Sequence, residues 1–177
     1  MTLQKEPTIL VIFGSMGDLT WRKLAPAVYN LLLGQELPDR FAVIGVDMKP
    51  GSVDDFRQRL KDGANNFCQC GGVDDEKWDP FARQFFYISD DFSATNTYIK
   101  LSEQLETCEK NWGGPANHVF YLATPPSIME TIVHGIGAAK LARDRRRARI
   151  VVEKPFGHDL ASAVALNGML TAVFLKG

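Results

Sequence analysis

The stretch "VIFGSMGDLTWRKLAP", Val11 to Pro26, decides how the chain is read. An apolar run ends in Gly14, and Gly17 and Asp18 follow three and four residues on. This is the pattern of a buried strand feeding a tight turn that opens a helix. Glycine at 14 lets the backbone turn sharply. Glycine at 17 leaves room for a phosphate to approach the first N–H groups of the helix. The full dinucleotide fingerprint has a third glycine, which this stretch lacks. Asp18 is a good N-cap type, so its carboxylate is expected to brace the helix start rather than to touch phosphate. Pro26 has no N–H to donate and is expected at the first position of the long helix, or at a kink after a short first turn.

Outward from this turn, short apolar runs alternate with helical patterns. The expected strands are Thr8–Phe13, Phe41–Val46, Phe85–Ser89, His118–Thr124 and Arg149–Lys154. Most lack polar alternation, as strands covered on both faces do. Between them, Leu24, Ala27, Val28, Leu31 and Leu32 share one helical face. Phe56 and Leu60 mark a second helix, with Ser52 as its N-cap and Gly63 as its stop. Tyr98, Leu101 and Leu105 mark a third; Ile128, Ile132, Ile136 and Ala139 a fourth. Leu160, Val164 and Leu170, after an Asp159 cap, mark a fifth. The stretches "CQCGGVDDEKWDP" and "NWGGPANH" read as loops. Repeated strand–helix alternation predicts an α/β, Rossmann-like doubly wound parallel sheet in three layers, with residues 1–177 as one domain.

Composition narrows the function classes. Among 177 residues, 45% are hydrophobic and 23% charged, with a net charge of −1. No global field points to nucleic acid or a membrane surface. No apolar run is long enough to span a bilayer, and "MTLQKEPT" has no apolar signal region. A cytoplasmic protein is expected. Its three cysteines, Cys68, Cys70 and Cys108, match neither a disulfide framework nor a zinc set and are expected to be reduced. No metal site is expected. The basic run "RDRRRAR", Arg143 to Arg149, is read as a solvated helix end.

Ligands of an open parallel sheet bind at the carboxyl ends of its strands. At the end of the second strand, in "IGVDMKP", stand Asp47, Met48 and Lys49. An acid there bonds a ribose 2′-hydroxyl and disfavours a 2′-phosphate, and a base does the reverse. Asp47 argues for NAD, and Lys49 keeps NADP open. The double proline of "YLATPPS" stops the fourth strand, with the next helix beginning near Ser127. In "EKPFGHD", Lys154 leaves a buried strand and precedes a proline. A lysine so placed can hold phosphate, a hydroxyl or a carbonyl.

Together, "GSMGDLTWRKLAP", "YLATPP" and "VVEKPFG" resemble the coenzyme domain of the glucose-6-phosphate dehydrogenase family. That pattern runs G-x-x-G-D-L-A-x-R-K-L-x-P, then Y-L-x-x-P-P, then E-K-P-F-G, in the same order over nearly the whole chain. The resemblance implies that Gly14, Ser15, Met16, Gly17, Asp18 and Leu19 cradle the pyrophosphate of NADP or NAD. It implies that Thr124 and Pro125 lie by the nicotinamide, and that Asp91 and Phe92 form an adenine-side contact. Lys154 would contact both substrate and cofactor, in a peptide that is cis at Pro155. The implied reaction oxidises C1 of glucose 6-phosphate to 6-phosphogluconolactone. A base takes the C1 hydroxyl proton as hydride passes to the nicotinamide. The full-length enzyme would be a homo-oligomer.

Two departures sharpen the expectation. The family commonly carries an arginine for the 2′-phosphate where this chain has Met48, which implies dual use or NAD preference. Lys49 can partly replace it, as a point charge and not a fork. The substrate-phosphate motif R-I-D-H-Y-L-G-K and its domain, with the catalytic histidine, are absent from the sequence. His118, His134 and His158 do not stand where that base would. The chain is therefore expected to be the N-terminal part of a two-domain enzyme, inactive alone. Two other readings stand beside this one: a free-standing nucleotide-binding regulatory module, and a sugar dehydrogenase of the glucose–fructose oxidoreductase type.

Overall fold

The computed structural model describes residues 5–153 and 159–174. In chain order it contains β1 (Thr8–Phe13), a π-helical turn (Thr20–Leu24), α1 (Ala25–Leu33), β2 (Phe41–Asp47), α2 (Val53–Phe67) and α3 (Asp75–Ala82). Then follow β3 (Phe85–Ser89), α4 (Thr95–Trp112), β4 (Asn117–Leu122), α5 (Pro126–Ala138), β5 (Ala148–Val152) and α6 (Leu160–Phe174). All five strands pair in parallel, in the order β3-β2-β1-β4-β5. β1 is central: Phe13 registers with Val46 of β2 and Leu122 of β4. After β3 the chain returns to the other side of β1. The carboxyl ends of β1 and β4 therefore flank the crevice where strand order reverses, which is where such sheets bind ligands.

Side chains alternate across a strand, and both faces of this sheet are apolar because helices cover both. Ile9, Val11 and Phe13 enter one core with Tyr98, Leu101, Met129, Ile132 and Phe174. Ile12 and Val43 enter the other with Tyr29, Phe56, Leu60, Trp78 and Phe85. Helices α1, α2 and α3 thus cover one face and α4, α5 and α6 the other, giving the expected doubly wound, three-layer architecture.

Several local expectations are corrected. Half of the loop at "CQCGGVDDEKWDP" is α3. Asp74 caps it by accepting from the Glu76 N–H at 3.0 Å. Pro80 inside this helix removes a backbone bond, at about 3 kcal/mol in a longer helix. Burial of Trp78 and Phe81, at about 1.5–3 kcal/mol each, outweighs it. Ser52 does cap α2, in a reciprocal box with Asp55, but Gly63 does not end it. A Cβ at Gly63 would collide with the Trp21 carbonyl oxygen. The glycine marks a close helix crossing, not a stop.

On α1, Ala25 and Tyr29 are buried, and Val28 and Leu32, with Leu24 just before the helix, pack against the same core as expected, while Ala27 and Leu31 are exposed. On α6, Leu160 and Val164 face outward at 81% and 62% exposure, while Leu170 packs inward as expected, with Leu166, Met169 and Val173 beside it. That helix is apolar nearly all round, so periodicity could not choose its face. Asp159 does cap its start, accepting from the Ser162 N–H at 2.8 Å. Arg143 to Arg147 lie in turns beyond α5 rather than on the helix end.

Cys68 and Cys70 are joined as a disulfide, against the expectation of reduced thiols. A turn with φ of +81° at Gly71 and +124° at Gly72 follows the bridge, whose Cα atoms stand 5.3 Å apart. That separation is ordinary for a bridge. Cys108 is free and buried, and burial pushes its thiol pKa up.

Candidate dinucleotide site

The turn after β1 is built by backbone. Gly14 has φ +80°, a conformation L side chains rarely adopt, and a Cβ there would stand 2.5 Å from the Ala123 carbonyl oxygen. Gly14 N–H donates to the Val46 carbonyl at 2.9 Å, and Gly17 N–H to the Gly14 carbonyl at 3.0 Å. The buried Thr20 hydroxyl also donates to the Gly14 carbonyl, at 3.2 Å. Helical winding begins at Asp18, with the Trp21 N–H bonded to the Gly17 carbonyl at 3.2 Å. The first N–H groups of a helix have no carbonyl one turn earlier to bond; here they belong to Asp18 and Leu19. Asp18 does not cap them. Its carboxylate takes the Arg22 guanidinium at 2.9 Å, an exposed pair one turn along. Among the described residues the helix start therefore keeps its donors, in a turn that Gly14 lets pack closely against the Ala123 carbonyl. This geometry fits a pyrophosphate. Ser15 is fully buried, with no partner for its hydroxyl among the described residues. It packs against Gly45, where a Cβ would stand 2.7 Å from its Oγ.

The turn after β2 is built by side chains. Asp47 is buried, and its two oxygens accept from the Met16 N–H at 2.8 Å and the Lys49 N–H at 3.0 Å. The acid read as a ribose ligand is thus turned into the protein, tying one turn to the other. Met48 is 51% exposed. The Lys49 carbonyl accepts from the Tyr87 hydroxyl at 2.6 Å and the Ser89 hydroxyl at 2.9 Å. Burial, with the Asp47 and Asp55 carboxylates nearby, pushes the Tyr87 pKa up to about 12. Above this turn lies a residue that sequence reasoning missed. Arg59, from α2, donates Nε to the Met16 carbonyl at 3.0 Å, and its guanidinium lies over the Trp21 ring at 5.2 Å. Lys49 Nζ reaches the same carbonyl at 3.4 Å. In sequence, Arg59 was only one more charged residue on the polar side of α2.

At the end of β3, the exposed Asp91 accepts from the N–H and hydroxyl of Ser93, both at 2.7 Å, which holds its pKa below the usual carboxylate range. The Phe92 ring is buried against Phe13, 6.0 Å between centroids, so it is part of the core rather than of an open surface. At the end of β4, Thr124 is buried, with no partner for its hydroxyl among the described residues. Pro125 stands just before α5, whose first residue is Pro126, one earlier than expected. The Tyr121 hydroxyl donates to Glu153, linking the ends of β4 and β5. Lys154, Pro155 and His158 lie outside the described residues. The structure brings Gly14, Met16, Asp47, Lys49 and Thr124 to one end of the sheet.

His118 pairs with Glu109 at 3.1 Å near the start of β4, at the opposite end of the sheet. No helix among the described residues is long and apolar enough to cross a membrane. No group of His, Cys, Asp or Glu among them could hold a metal ion.

Comparison with known proteins supports the same assignment. The sequence profile of "Glucose-6-phosphate dehydrogenase, NAD binding domain" matches residues 11–176. The glucose-6-phosphate 1-dehydrogenase of Bacillus subtilis is 35% identical over 175 residues, covering 99% of this chain and 35% of that protein. Glucose-6-phosphate 1-dehydrogenase 2 of Mycobacterium bovis is 37% identical over 170 residues, covering 95% of this chain and 33% of its own. The crystal structure of the Mycobacterium avium enzyme superposes with TM-score 0.80 at 35% identity, over 96% of this chain and 34% of that one. A glucose-6-phosphate dehydrogenase in complex with its substrate glucose 6-phosphate superposes with TM-score 0.84 at 30% identity, over 99% of this chain and 36% of that one. The chain spans about a third of the length of the relatives it matches. It belongs to the glucose-6-phosphate dehydrogenase family and corresponds to that family's NAD-binding domain.

Proposed function

We propose that residues 1–177 are the coenzyme-binding domain of a glucose-6-phosphate 1-dehydrogenase, the part that holds the nicotinamide dinucleotide while glucose 6-phosphate is oxidised at C1. The observation that carries this is the Gly14 turn at the strand-order reversal, where a Cβ would stand 2.5 Å from the Ala123 carbonyl. The helix-start N–H groups of Asp18 and Leu19 face an anion there without a capping carboxylate. Gly14 to Leu19 take the pyrophosphate, and Thr124 and Pro125 form the wall by the nicotinamide. Asp91 borders the adenine side, and Phe92 supports it from the core. Lys154 meets substrate and cofactor. A bound nicotinamide supplies the hydride acceptor. The chain's own residues orient it, which is the larger share of what such a domain contributes.

Calorimetric titration with NADP and NAD tests the reading. The chain binds at least one dinucleotide, and Gly14→Val abolishes binding. A chain that binds neither overturns the proposal. Because the substrate-phosphate motif and the catalytic histidine are not among its residues, the chain does not turn over glucose 6-phosphate by itself. Sustained NADPH or NADH production from it would contradict that statement.

A further inference from the structure

We propose that Arg59 and Lys49 form the site that takes the 2′-phosphate of NADP, in place of an arginine at the end of β2. The inference rests on the dinucleotide reading above and concerns which dinucleotide that site selects. Adenosine ribose binds at the carboxyl end of β2 in such sheets. Two cations meet at that end in this protein, Arg59 Nε at 3.0 Å and Lys49 Nζ at 3.4 Å from one acceptor, the Met16 carbonyl. Sharing one acceptor places them close enough for a single phosphate to bridge. Among the described residues neither has a carboxylate at ion-pair distance. One neutral carbonyl does not balance two positive charges, and a phosphate dianion does.

The site is also held in place before any ligand arrives. The Trp21 ring lies under the Arg59 guanidinium at 5.2 Å, and Met16 fixes its Nε. The Nη pair is left to donate as a fork. Tyr87 and Ser89 anchor the Lys49 carbonyl at 2.6 and 2.9 Å, fixing the backbone that carries the lysine. Ordering losses on binding are correspondingly small. Asp47, the residue that argued for NAD, does not compete for the ribose. It is buried, and its oxygens are bonded to two backbone N–H groups. Met48 is exposed beside the site and closes nothing off. The positive charge missing from the strand end is supplied from the helix behind it.

Calorimetry on the whole 177-residue chain tests this with four probes: NADP, NAD, adenosine 2′,5′-bisphosphate and 5′-AMP. The chain is expected to prefer NADP and the bisphosphate, with an affinity that falls with salt more steeply than that for NAD. Arg59→Gln should weaken both 2′-phosphorylated probes by about tenfold or more and leave NAD and 5′-AMP within about twofold. Lys49→Gln should act in the same direction and less, and carries the test if Arg59→Gln fails to fold. Preference for NAD, or an NADP-to-NAD ratio unmoved by Lys49→Gln and by a folded Arg59→Gln, overturns the proposal. Absence of binding to every probe instead overturns the dinucleotide reading, and this proposal with it.

Discussion

The turns after β1 and β2 stand side by side and are made in opposite ways. The first is defined by what is missing: no Cβ at Gly14, where φ is +80° and a carbonyl oxygen stands 2.5 Å from the vacant position. The second is defined by what is added. Asp47, Tyr87 and Ser89 hold its backbone, and Lys49 and Arg59 give it charge. A turn made by absence suits a ligand that all dinucleotides share, because bare N–H groups read only a phosphate's charge and size. A turn made by side chains suits a feature that distinguishes one dinucleotide from another. The two meet at Met16, whose N–H goes to Asp47 and whose carbonyl takes Arg59.

The contrast breaks most visibly at Gly14. Gly14→Ala forces a Cβ against a backbone carbonyl, with positive φ besides, and should destabilise by about 3 kcal/mol or more. A urea unfolding curve shifted by less than about 1 kcal/mol would mean the turn can open, and the steric account is wrong. Asp47→Ala leaves the Met16 and Lys49 N–H groups without their acceptor. It should lose about 2 kcal/mol and weaken NAD and NADP alike. If it changes the NAD-to-NADP ratio at unchanged stability, the carboxylate reads the ribose and the division of labour fails.

Tyr87→Phe removes the hydroxyl that holds Lys49 and should lose about 1 kcal/mol at neutral pH. It also carries a pH signature. The folded pKa of Tyr87 is raised to about 12 from an ordinary 10.0, so the folded state favours the protonated phenol. Stability from this source is whole below pH 10, is lost as pH rises through about 12, and is not regained above it. Thermal unfolding from pH 8 upward should therefore fall less steeply in Tyr87→Phe, Tyr98 and Tyr121 still contributing in the same direction. Smallest is Asp18→Ala. Its pair with Arg22 is exposed, and the change should stay within about 0.5 kcal/mol. A larger loss would show that Asp18 does support the helix start.

The same contrast explains what the sequence made legible. Gly14 and Gly17 announce themselves because few residues tolerate their positions, and five apolar runs separated by helical patterns leave few topologies open. The Arg59 site was not legible. It depends on α2 lying against Trp21, a contact between residues 38 apart in sequence. The close crossing at Gly63 that permits it looks, in one dimension, like a helix stop. Asp47 is ambiguous in sequence for a related reason. An acid at a strand end looks the same whether it faces ligand or protein, and only the loop N–H groups brought to it decide. α6 was ambiguous because an all-apolar helix carries no directional information.

The π-helical turn from Thr20 to Leu24, where the Ala25 N–H bonds the Thr20 carbonyl five residues back, has a consequence for register. Such a turn is one residue wider than an α-helical one. It works as a spacer between two rigid bodies, the phosphate cradle ahead of it and the core-packing face of Ala25 and Tyr29 behind. Because the wide turn takes up its extra residue in place, deleting one residue within Thr20–Leu24 would restore ordinary winding and leave the cradle facing as it does relative to that face. The same deletion in ordinary α-helical winding between them would turn one against the other by about 100°. The wide turn is thus a place where the chain can lose a residue without turning the ligand site away from the fold.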